Sequence, residues 1–207
     1  MQNLIKRYQD IFLYLSLERE LSDCKTVLDV GCGEDSPIRN VKETFKSEGV
    51  DVFNPALDKS RKKKIHDSYK KADLNKLLNF YKQDSFDATI ALDVVEHFPK
   101  DKALKLISSM EKIANKKIII LTPNGFVHQG EYGNNPFQRH YSGWTKDEFE
   151  KLGYKVYGLR GAKLIRGEYA TIKYKPWILW AFIAFLTEPL LYFFPKLSFD
   201  LFAVKEL

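Results

Sequence analysis

Asp93, Glu96, His97 and His140 are the residues of this chain whose types and spacing best suit chemistry. Asp93-Val94-Val95-Glu96-His97 follows an apolar run, Phe86-Asp87-Ala88-Thr89-Ile90-Ala91-Leu92. Residues three and four apart share a face once a helical turn begins, so Asp93, Glu96 and His97 would converge. Imidazole titrates near neutrality, which suits His97 or His140 to take a proton from a hydroxyl group. His140 stands in Arg139-His140-Tyr141-Ser142-Gly143-Trp144-Thr145. A second series of carboxylates, Asp29, Asp51 and Asp73, runs through the first third of the chain. Asp51 lies about 20 residues past Gly31 and Gly33, the usual distance for a carboxylate that accepts bonds from ribose hydroxyls.

Strands must hold these groups. Val27, Leu28 and Val30 form a short apolar run that suits a strand covered on both faces. Gly31 and Gly33 then permit a tight turn, and Ser36-Pro37 predicts a helix with Ser36 as N-cap. Gly49 to Val52 reads as a second strand, and Ala72-Asp73-Leu74 as an acidic turn before a short helix. Lys117 to Leu121 reads as a strand that ends at Thr122-Pro123-Asn124. A helix follows over 146–152, a strand over 155–159 and a last strand near 198–205. Each acid falls at a strand end, where open α/β sheets place ligands. An ordinary βα turn accounts for the glycines equally well when they are taken alone.

Taken together, the motifs resemble class I S-adenosylmethionine-dependent methyltransferases of the small-molecule (methyltransferase-11) type. The resemblance rests on Leu28-Asp29-Val30-Gly31-Cys32-Gly33, Gly49-Val50-Asp51, Ala72-Asp73-Leu74, Phe86-Asp87, Val95-Glu96-His97-Phe98 and Thr122-Pro123-Asn124. It covers roughly residues 20 to 165 and the last strand. It implies an α/β, Rossmann-like fold: a mostly parallel seven-stranded sheet with helices on both faces and an antiparallel last strand. Asp35 stands where the family often has a third glycine. The resemblance implies a cofactor site of Asp29, Gly31, Cys32, Gly33, Asp51, Val52, Asp73, Leu74, Asp93 and Val94. Asp29 would organise the loop and meet the cofactor's amino group, Asp51 the ribose and Asp73 the adenine. Asp93 and His97 would lie beside the reacting methyl group.

Charge separates this reading from a nicotinamide one. A pyrophosphate wants a helix N-terminus free of negative charge, whereas this loop carries Asp29, Glu34 and Asp35. Those carboxylates suit a sulfonium cation. Asp93-x-x-Glu96-His97 with the distant His140 also resembles the Glu-x-x-Glu-His metal site of small-RNA 2′-O-methyltransferases, with Asp93 in place of a Glu. That resemblance implies a divalent ion such as Mg held by Asp93, Glu96, His97 and His140. A metal-free site, with His97 or His140 as the base or with alignment alone driving transfer, stays open.

Composition sets the outer bounds. A chain of 207 residues suits one domain over 1–207, with insertions at 125–145 and 176–196. Two nearby cysteines, Cys24 and Cys32, suggest no disulfide framework, and the expected compartment is cytoplasmic. Residues 1–21 read as an amphipathic helix rather than a signal peptide. The net charge of +6 concentrates at Lys59, Arg61, Lys62, Lys63, Lys64, Lys70 and Lys71. A solvated face explains that stretch; anionic lipid ranks above nucleic acid as its partner, because no nucleic-acid module accompanies it.

Two insertions shape the expected acceptor. The polar loop from Gly125 to Gly143 carries Phe126, Tyr132, Phe137 and Tyr141 with Gln129, Asn134, Gln138 and Arg139, as a polar-substrate lid would. Trp177 to Phe194 is apolar on nearly all sides, and Glu188-Pro189 is expected to break it. Because the last strand must return to the same sheet, this segment leaves and returns on one side. It is read as a substrate lid, a homodimer surface or an in-plane membrane anchor. The expected activity is methyl transfer to an oxygen of a small or lipid-linked polar acceptor, of glycan or isoprenoid type. An RNA-modifying methyltransferase and a non-catalytic cofactor-binding subunit of a membrane assembly are the alternatives.

Overall fold

The computed structural model describes residues 10–42, 44–131, 135–167 and 171–207. Seven strands form one sheet: β1 (Thr26–Val30), β2 (Lys46–Asp51), β3 (Ser68–Lys71), β4 (Phe86–Leu92), β5 (Ala114–Pro123), β6 (Lys155–Ala162) and β7 (Ser198–Glu206). Their order is β3-β2-β1-β4-β5-β7-β6. Pairing is parallel from β3 to β5, and β7 runs antiparallel to both β5 and β6. The expected fold class is thus the observed one.

Five helices accompany the sheet among the described residues: α1 (Ile11–Leu21), α2 (Asn54–Lys63), α3 (Lys100–Ile113), α4 (Lys146–Lys151) and α5 (Trp177–Leu191). Side-chain alternation assigns the faces. Leu28, Val30, Ile118 and Ile120 join a core with Leu106 and Met110 of α3 and Phe149 of α4. Val27, Ile119 and Leu121 point the other way, to Leu13, Leu17 and Leu21 of α1. A strand buried on both faces reads as a continuous apolar run for this reason.

Several boundaries differ from expectation. Ser36-Pro37 opens only a four-residue 3-10 turn, Pro37–Asn40, before Val41 turns extended. Lys70 and Lys71, expected in a solvated loop or helix, lie in the edge strand β3. The expected break at Glu188-Pro189 is absent: α5 runs through both to Leu191. Pro189, which lacks an N–H, forgoes the one backbone bond that position would give to Phe185 O, and the helix ends two residues later. Tyr132, Asn134 and the first nine residues of the expected N-terminal helix lie outside the described residues.

Candidate active site

The carboxyl ends of β1, β2, β4 and β5 bring the expected groups to one edge of the sheet. β1 runs into Gly31 at φ +72° and Gly33 at φ +57°, conformations that L side chains rarely adopt. A Cβ at Gly31 would meet Val94 Cγ2 at 2.7 Å, whereas one at Gly33 would meet nothing within 4 Å. The first glycine therefore permits close packing against the β4 exit, and the second leaves a free backbone edge. The amides of Gly31 and Cys32 donate to Val50 O at 2.7 and 3.1 Å, which ties the loop to β2.

Asp51 closes the other side of this cradle. Its two oxygens accept from the amides of Gly33 at 2.9 Å and Phe53 at 2.8 Å. Burial pushes its carboxyl above the usual carboxylate range against the pull of these amides. Asp29 is buried beneath the loop. Ser36 donates to it at 2.5 Å and His66 Nε2 lies 2.9 Å away, so it organises the loop from below. Cys32 is buried, and burial raises its thiol far above the reactive range. Val94 is buried against Gly31, while Val52 is half-buried beside Asp51. Asp73 is exposed and caps the 3-10 turn Leu74–Asn79 through the Asn75 amide at 3.0 Å, with Leu74 buried behind it.

Beyond β4 the chain makes a 3-10 turn at Val95–His97. Ligand atoms of Glu96, His97 and His140 all lie within 4.8 Å of one another. His97 Nδ1 is 3.1 Å from Arg139 O, and His140 Nδ1 is 2.7 Å from Val127 O. A carbonyl only accepts, so both Nδ1 atoms carry hydrogen and both Nε2 atoms keep a lone pair. Burial lowers both imidazole pKa values. Glu96 is buried, with Thr122 Oγ1 donating to it at 2.9 Å. Burial first, and then the charge of Asp93, push its carboxyl well above the ordinary value.

Asp93, the fourth expected metal ligand, does not join this group. It sits at φ +57° and turns to Arg160, whose Nη1 and Nη2 lie 3.1 and 3.2 Å from Oδ2. A carboxylate is drawn to a guanidinium that offers a fork of donors. Arg160 also reaches Asp200 at 2.7 Å and Asp10 at 3.2 Å. Neither Arg160 nor His66 was anticipated. Each meets its partner across a long stretch of chain, and no local motif marks such a pairing.

The loop after β5 crosses this edge. Phe137 packs on Phe53, two residues past Asp51, with ring centroids 6.5 Å apart. The amides of Tyr141 and Ser142 donate to Glu96 O at 2.8 and 3.1 Å. The loop thus touches the exits of both β2 and β4, and Phe126, Phe137 and Tyr141 remain exposed on it. The basic stretch lies at the opposite sheet edge from α5. Much of its charge is met locally, by Lys59 to Glu34, Lys63 to Asp35 and Arg61 to Asp58.

The methyltransferase domain model matches residues 2–159 of the chain. No curated protein matches it. Among solved structures it resembles a SAM-dependent methyltransferase from Archaeoglobus fulgidus, with 19% identity over 95% of this chain and 93% of that one, at a TM-score of 0.61. It also resembles the methyltransferase domain of bacterial-CtHen1-CN, with 19% identity over 97% and 99% of the two chains, at a TM-score of 0.57. A third likeness is to the SAM-bound magnesium protoporphyrin IX methyltransferase from Synechocystis PCC 6803, with 18% identity over 97% and 79%, at a TM-score of 0.54. At such identities these structures speak for the fold. With the domain model matched over most of its length and this cradle at its strand ends, the chain belongs to the methyltransferase-domain family and is a class I S-adenosylmethionine-dependent methyltransferase.

Proposed function

We propose that this enzyme transfers the methyl group to an oxygen of a small or lipid-linked polar acceptor, which enters over His97 and His140 beneath the loop 125–145. The observation that carries this reading is a pair of imidazoles with ring centroids 4.8 Å apart, each with Nδ1 on a backbone carbonyl, which leaves Nε2 as the nitrogen able to accept a proton. A neutral imidazole whose pKa is lowered by burial is ready to accept a hydroxyl proton at pH 7.

The cradle suits S-adenosylmethionine. Gly33 offers an edge that no side chain fills, and a carboxylate at the end of β2 accepts ribose hydroxyls in open sheets of this kind. The bound cofactor supplies an electrophilic methyl group on a sulfonium sulfur. Asp51 would hold the ribose, with Val52 beside it. Asp73 and Leu74 would meet the adenine. Gly31, Cys32 and Gly33 would pass the methionine part, Asp29 would keep the loop in shape, and Asp93 and Val94 would flank the reacting end. Displacement at the methyl carbon needs alignment above all, and the loop over the cleft would provide it while excluding water.

The residues also suit a divalent ion. Glu96, His97 and His140 form a compact donor set, and carbonyl-held imidazoles are the usual outer support of metal-ligating histidines. Asp93 would join only by leaving Arg160. Bound there, Mg or a similar ion would lower the pKa of an acceptor hydroxyl.

The test is turnover of S-adenosylmethionine with a native lipid extract and a panel of polar hydroxyl acceptors, with and without Mg. Release of the demethylated nucleoside together with a product heavier by one methyl group is the expected result. Methyl incorporation on nitrogen or carbon alone would overturn the oxygen assignment. Tight nucleoside binding with no turnover of any acceptor would point instead to a cofactor-binding subunit.

A further inference from the structure

We propose that the outer face of α5 docks flat on an anionic membrane surface. The helix has two unequal faces. Ala181, Ala184, Glu188 and Leu191 are buried toward β6. The opposite side leaves Ile178 at 64% exposure, Phe182 at 57%, Leu186 at 59% and Leu190 at 62%, one above the next at four-residue spacing. Phe193, at 72%, extends the strip. Glu188 is the only charged residue between positions 176 and 195, and it points inward. Soluble monomers seldom present so continuous an apolar strip to water.

Length excludes a crossing. Fifteen residues span about 22 Å, short of a bilayer core. None of the helices among the described residues is long and apolar enough to cross a membrane. A helix lying in the interface needs only apolar depth on one side and cationic or aromatic flanks. α5 has both. Lys173, Tyr174, Lys175 and Trp177 are exposed at its start, and Lys196 is exposed beyond its end. Lys196 meets Asp147 in a surface ion pair, an interaction weak enough to yield to a lipid phosphate.

The same flanks argue against a second copy as the occupant. Two α5 helices packed face to face would set lysine against lysine, whether parallel or antiparallel, because both ends are cationic. Anionic head groups match both ends at once. Topology adds a consequence. β6 ends and β7 begins at the same sheet edge as the exits of β4 and β5, so α5 is tethered beside the candidate active site. A membrane-docked α5 would hold the cleft near the head groups, where a lipid-linked acceptor is found. The docking itself needs no turnover and stands apart from the acceptor assignment.

Flotation of the full chain with phosphatidylcholine vesicles, with and without phosphatidylglycerol, tests this. The protein is expected to float with the anionic vesicles and to be released by salt. Joint substitution of Phe182→Asp and Leu186→Asp is expected to lower binding by about tenfold or more, since two exposed apolar side chains no longer enter the membrane. Binding of the demethylated nucleoside should stay unchanged and report an intact fold. Lys173→Glu with Lys175→Glu, which alters only exposed positions, should abolish the preference for anionic vesicles. Failure of the unsubstituted chain to float with either vesicle would overturn the proposal. So would a dimer that these aspartates dissociate while vesicle binding persists.

Discussion

Asp93 and Arg160 grip each other at 3.1 Å, and both sit at positive φ, +57° and +61°. Non-glycine residues hold that conformation only when their surroundings over-determine it. Here the surroundings are other charges. Arg160 also binds Asp200 and Asp10, and its backbone N–H donates to Glu188 of α5 at 2.6 Å. One residue therefore joins the cleft, the last strand and the apolar helix. Arg160→Met would leave three carboxylates without their cation and is expected to destabilise the fold by about 3–5 kcal/mol, read by urea denaturation. Asp93→Asn keeps Arg160 paired to Asp200 and Asp10, so it should cost less stability while lowering turnover.

Asp51→Ala should weaken binding of S-adenosylmethionine and of its demethylated product by about tenfold or more, because the Gly33 and Phe53 amides lose their acceptor and the proposed ribose contact goes with it. Calorimetry checks it. Affinity equal to that of the unsubstituted chain would show that Asp51 only shapes the loop.

Gly31→Ala meets two obstacles, a positive φ and the Val94 methyls. The backbone share costs about 1–2 kcal/mol. A Val94→Ala change should restore the steric share alone, so the double variant is expected to be more stable than Gly31→Ala and still less stable than the parent. Thermal unfolding separates the three.

Activity should fall as pH drops through the pKa of His97, which lies below the ordinary imidazole value because of burial and the neighbouring His140. In His140→Ala both causes weaken, so any residual activity should show its acid limb at higher pH than the parent. A pH profile of kcat/KM measures the shift. If the ion is present, a chelator should silence the parent, and Mg should restore it.

Glu188 is pushed up to about 7 by burial, from an ordinary value of 4.5. The folded state then holds a proton that the unfolded state has released. Stability from this group is full below the unfolded value and declines as pH rises from there through the folded value. Glu188→Gln keeps an acceptor for Arg160 N–H and should flatten that part of the decline. Denaturation across the range from about pH 4 to pH 8 tests it.

The strands and their order of acids were legible because each is a local pattern. β1 and β4 stand where the apolar runs place them, and the acids follow at their exits. Of the four residues expected together, Glu96, His97 and His140 lie close to one another, while Asp93 turns to Arg160. The helix at Ser36-Pro37 misled because a good cap licenses a start and says nothing of length; Val41 turns extended, and Val41 and Phe45 pack against the core that Leu13, Leu17 and Leu21 share. Lys70 and Lys71 hid an edge strand, where one open side tolerates charge.

What the sequence determined by itself is the periodic and the adjacent: which runs are buried on two faces, where the glycines turn, and which carboxylates stand at strand ends. These are set by covalent geometry and short-range sterics, so they need no partner. Only the tertiary structure decided that Asp29 would face His66 across 37 residues, that Asp93 would turn from the histidines to Arg160 across 67, and that Glu188 would lie inside α5 rather than break it. Such pairs form because a buried charge must find its complement in space, wherever the chain happens to bring one.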